Sequence, residues 1–111
     1  MDVELTKRWR ATEVVLERAR VALPQPGPEV QKRFDQATSE YHEYVSHNEL
    51  GLALEALRDA AALVSSRGGV WRDLIRAAEL MELTALIPEL QSRFEEAASD
   101  PSVVAGPRND G

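Results

Sequence analysis

Apolar side chains recur along this chain at helical spacing. Leu5, Trp9, Leu16, Ala19 and Leu23 stand 4, 7, 3 and 4 positions apart, with Thr12 at the vacant step. One stripe of this kind predicts a helix over about residues 3–22. Pro24-Gln25-Pro26-Gly27-Pro28 then stops it, because proline lacks an N–H and its ring clashes with the preceding turn. Val30, Phe34, Ala37, Tyr41 and Tyr44 mark a second helix over about residues 28–45, with Pro28 suited to its first turn. Ser46 and Glu49 have the spacing of a capping box at the next boundary, and Asn48 is an alternative cap.

The third helix carries Leu50, Leu54, Leu57, Ala61 and Val64, flanked by Ala53, Ala60 and Leu63. Apolar and small positions on so many sides predict a central helix. Ser65-Ser66-Arg67-Gly68-Gly69 is expected to end it, with glycine supplying a left-handed cap or turn. A fourth helix presents Trp71, Leu74, Ile75, Ala78 and Met81. A fifth presents Leu86, Leu90, Phe94 and Ala97, with Pro88 tolerable only near its first turn. No window alternates with period two, so no sheet is expected. The fold class is all-α, a compact bundle of four to five antiparallel helices joined by short linkers. Residues 1–97 form a single helical domain and 98–111 a mobile C-terminal tail.

Composition narrows the function. With 111 residues and no cysteine, the chain has room for one core and excludes disulfides, thiolate metal sites and cysteine nucleophiles. The opening Met1-Asp2-Val3-Glu4 is acidic, no apolar leader follows, and no run is long enough to span a membrane. A cytoplasmic location is expected. The net charge of −6 argues against nucleic acid as a partner, since that affinity rests on cations neutralising phosphates.

The charge also has a location. Residues 1–33 sum to +2 and residues 58–111 to −3, whereas residues 34–57 hold Asp35, Glu40, Glu43, Glu49 and Glu55 with no Lys or Arg, a sum of −5. Glu40, Glu43 and His47 lie three and four apart and share a face, flanked by Tyr41 and Tyr44. An acidic helix face is commonly just solvated. This one lacks the basic i, i+4 partners that such faces usually carry, and a basic protein partner would offset its self-repulsion. Tyr41 falls on the Phe34–Ala37 stripe and is assigned to the core. Trp9 and Trp71 are assigned to packing.

Enzyme chemistry finds no footing. His42 and His47 are five apart and point in different directions; Glu43 with His47 supplies only two metal ligands. Ser65 and Ser66 have no base nearby, and Gly68-Gly69 lacks both the Gly-Lys-Ser and the strand of a phosphate loop. No catalytic residue, metal or cofactor is expected.

The stretch Tyr44-Val45-Ser46-His47-Asn48-Glu49-Leu50-Gly51-Leu52-Ala53-Leu54-Glu55-Ala56-Leu57 resembles the signature of MafI-type immunity proteins. Its His-Asn-Glu-Leu-Gly-Leu-Ala-Leu-Glu core carries the likeness. Ala77-Ala78-Glu79-Leu80-Met81-Glu82-Leu83, after Trp71, is similar to that family's second half. The resemblance covers roughly residues 28–97. It implies a small acidic helical protein of a polymorphic toxin or contact-dependent growth inhibition system. Such a protein neutralises the C-terminal domain of a cognate toxin, commonly a nuclease, by binding it in the cytoplasm. Asp35, Glu40, Glu43, Tyr44, His47, Glu49 and Glu55 are then the partner-binding candidates. Much of the motif also has a fold reading: Gly51 would admit a close helix, and Glu49 would cap. The competing reading is a small helical adaptor or secretion chaperone that binds a different basic protein. A DNA-binding helical regulator is disfavoured by the acidic second and third helices.

Overall fold

Burial of one apolar stripe per helix decides how the five helices pack. A computed structural model describes residues 3–99. Helices α1 (Val3–Val21), α2 (Gln31–Ser46), α3 (Leu50–Ala62), α4 (Gly68–Leu80) and α5 (Ile87–Ser99) follow in order, with a 3-10 turn at Thr84–Leu86 leading into α5. The described residues contain no strand.

Two antiparallel pairs follow from short connections, α2 with α3 and α4 with α5. The nine-residue proline-rich crossing at 22–30 breaks this rule, and α1 lies principally against α4 instead of α2. The two helices run antiparallel, so that Arg8 Nη1 meets Glu82 at 2.9 Å at one end and Arg18 Nη2 meets Asp73 at 2.8 Å at the other. Helix α3 touches α1, α2 and α4, as its all-round apolar character predicts, and α4 is equally central, touching α1, α3 and α5. The core gathers Leu16, Leu54, Leu57, Trp71, Leu74 and Leu90.

Buried polar groups are satisfied locally. Thr12 donates to the Arg8 carbonyl at 2.8 Å and Ser66 to the Ala61 carbonyl at 2.8 Å. No buried side-chain nitrogen or oxygen among the described residues lacks a partner.

Helix ends depart from the sequence expectations. The Ser46–Glu49 capping box does not form: Ser46 Oγ donates to the Glu43 carbonyl at 2.7 Å, and no side chain caps α3. Asn48 does not cap α3 either. It takes φ 59° and terminates α2, with Glu49 N–H donating to Tyr44 O at 2.8 Å and Asn48 N–H to Val45 O at 2.9 Å. The same left-handed terminator ends α4. There Glu82 has φ 59°, Leu83 N–H donates to Ala78 O at 2.8 Å, and Glu82 N–H donates to Glu79 O at 3.1 Å.

Gly68 and Gly69, expected to end α3, form the first turn of α4; α3 ends at Leu63 with right-handed geometry. Pro28 lies in the turn before α2, not within it, whereas Pro88 sits in the first turn of α5 as expected. Ala98 and Ser99 belong to α5, so the tail boundary moves past them; residues 100–111 of the predicted tail lie outside the described residues.

Candidate partner-binding face

The inward stripe of α2 fixes which of its residues face out. Ala37 and Tyr41 are buried and Phe34 and Tyr44 half-buried, which turns Asp35, Glu40, Glu43 and His47 to solvent. Glu40, Glu43 and His47 share one arc of that surface, while Asp35 stands further round, toward the start of the helix. Glu49 is exposed in the α2–α3 turn, and Glu55 is half-buried on α3. The seven candidates therefore form a core of three on α2 with outliers on either side.

None of the five carboxylates in this stretch forms an ion pair among the described residues. Asp35 and Glu40 accept only neutral amide hydrogens, from Gln31 Nε2 at 2.9 Å and Gln36 Nε2 at 3.2 Å. Elsewhere the described acids are mixed: Glu17, Asp59, Asp73, Glu79, Glu82 and Glu89 are each matched by an arginine, whereas Glu4, Glu13, Glu29, Glu95 and Glu96 form no ion pair.

Two candidates also make contacts within the fold. Tyr44 is half-buried and packs against the core cluster. His47 Nδ1 lies 3.0 Å from the Glu43 carbonyl, which can only accept, so Nδ1 carries the proton there. Tyr41 is core, as its stripe predicts. Its hydroxyl donates to Glu17 Oε1 at 3.1 Å, and burial pushes the phenol well above its ordinary pKa. The Glu17 carboxyl is held below the usual range chiefly by the Arg20 guanidinium, whose Nε stands 3.0 Å away.

Three residues on this face escaped the sequence reading. Arg33, Glu40 and Asp59 line one open cavity of about 410 Å³ in the α2–α3 seam, so a cation borders the acidic stretch in space. Folding the sequence about residue 48 would have found them, since an antiparallel hairpin sets 33 opposite 63 and 37 opposite 59. Leu52 is the third: it is 44% exposed on α3, off the core stripe, and gives the acidic face an apolar side chain. Gly51 does not admit a helix. A Cβ there would meet only Leu83 Cδ1, at 3.6 Å.

No group of three His, Asp or Glu among the described residues could hold a metal ion. No described helix is long and apolar enough to cross a membrane. Compared with family models, curated proteins and solved structures, the chain matches none.

Proposed function

We propose that this protein is an immunity protein, which binds and neutralises the C-terminal domain of a cognate toxin through the acidic face of α2, its turn and α3. One observation carries the reading: where the chain resembles MafI-type proteins, residues 34–57 hold five carboxylates, no Lys or Arg and no ion pair, whereas six of the eleven described acids elsewhere are paired. Glu40 and Glu43, three apart on one face, repel each other by a few tenths of a kcal/mol. A partner with a basic cleft removes that repulsion and is drawn in by the single-sign field. Nucleases hold phosphates in such clefts, so an acidic helix is a fitting plug for one. Binding takes place in the cytoplasm, where the protein acts without catalysis or cofactor.

The test is co-expression with the variable C-terminal domain of a toxin whose gene lies immediately upstream, the arrangement that the proposal requires. Growth should be restored, and the Glu40→Lys, Glu43→Lys double variant should bind the toxin at least tenfold more weakly while keeping its helical signal (about 1.4 kcal/mol). A toxin left fully active by co-expression would overturn the reading. A complex that forms without neutralising the toxin would favour an adaptor.

A further inference from the structure

A second charged feature, of opposite sign, lies away from the acidic face where α1 ends and α4 begins. Arg18, Ala22, Arg67, Gly69, Arg72 and Asp73 line an open cavity of about 450 Å³. The one carboxylate in it is already matched, since Asp73 accepts both Arg18 Nε at 3.1 Å and Arg18 Nη2 at 2.8 Å. Arg67 and Arg72 have no carboxylate partner among the described residues. The cavity therefore carries two uncompensated positive charges in a protein whose net charge is −6.

The geometry favours a ligand over mere solvation. Arg72 lines the cavity and its guanidinium lies over the Phe94 ring at 5.7 Å, a cation–π contact that leaves its charge without a carboxylate partner. The space before Gly69 is open, with nothing within 4 Å of where a Cβ would stand. The volume falls in the range of small-molecule sites and exceeds what a lone oxyanion fills.

We propose that this cavity binds the phosphate group of a small ligand, with Arg67 and Arg72 as its two counter-ions. A dianionic phosphate matches the two free charges, and guanidinium forks match its oxygens. A nucleic-acid strand fits poorly, because the acidic α2–α3 surface of the same small molecule would repel a polyanion. The proposal does not depend on toxin binding, which uses the other face.

Amide resonances of the full chain, followed by NMR at constant ionic strength, test it with inorganic phosphate and with a nucleoside 5′-monophosphate. Saturable shifts confined to about residues 67–73 and the end of α1 are expected, with half-saturation below about 10 mM. Arg67→Gln and Arg72→Gln should each weaken binding about tenfold, and Arg33→Gln, in the other cavity, should not. Tighter binding of the monophosphate assigns the rest of the cavity to the attached group; equal binding identifies free phosphate as the ligand. The Arg67 side chain makes no hydrogen bond or ion pair among the described residues, so its variant remains informative even if Arg72→Gln unfolds. The proposal is overturned by the absence of saturation, by equal affinity in Arg67→Gln, or by tighter binding of a short oligonucleotide.

Discussion

Tyr41 joins two halves of the molecule through one hydroxyl. Its ring belongs to the core while its oxygen reaches the partly exposed Glu17 on α1. Tyr41→Phe keeps the ring and removes the hydrogen bond, and should lower stability by about 1 kcal/mol in urea denaturation. The pH profile separates this from a packing effect. The buried phenol keeps its proton to higher pH than in the unfolded chain, so the folded state binds more protons in alkali. Stability should be fully present below pH about 10 and fall as the pH rises beyond it. The Phe variant should lack most of that fall, and an unchanged alkaline limb would assign the loss to another group. Gly51 is the contrasting residue, because it sits in the first turn of α3 with only ordinary contact beyond it. Gly51→Ala should therefore raise stability by about 0.5–1 kcal/mol through helix propensity alone; a loss in denaturation would show that the backbone needs glycine there.

At the scale of elements, two helices end in the same left-handed terminator with different residues at its critical position. Asn48 tolerates positive φ through its short polar side chain, whereas Glu82 has no such compensation. Glu82→Gly should stabilise the protein by about 1 kcal/mol, since the exposed Arg8 pair it gives up contributes little. Asn48→Gly should change the thermal midpoint much less, and equal gains would put the strain elsewhere. These ends also mark what the sequence left unread. Stripes such as Leu50, Leu54, Leu57 and Ala61 were legible because burial repeats with the helical turn. The terminators were not, because neither carries glycine, and the two glycines that suggested one lie at a helix start instead. The outward face of α2 was legible as the complement of its stripe. Arg33 and Glu40, seven apart on one helix, share a face by periodicity, but Asp59 beside them was not legible, because only the pairing of α2 with α3 brings it and Leu63 opposite.

Over the whole molecule, charge is sorted more sharply than the net figure of −6 conveys. Arginines pair with acids along α1 and α4, leave two cations without a carboxylate partner at the start of α4, and leave Asp35, Glu40, Glu43, Glu49 and Glu55 without an ion pair among the described residues. Such an acidic surface costs the folded state a little and gains it a long-range field, so reversing its charge should change association far more than stability. In the Glu40→Lys, Glu43→Lys variant, two like charges still stand three apart on α2, so the urea midpoint should stay nearly unchanged. Its association rate with the toxin domain should nevertheless fall, by about tenfold at low ionic strength, because four units of steering charge are lost. The difference should shrink as salt rises to about 1 M, where the screening length is about 3 Å. Stopped-flow association measured across that range distinguishes steering from contact. A deficit that persists undiminished in high salt would mean that Glu40 and Glu43 act by direct contact and that the acidic field guides nothing.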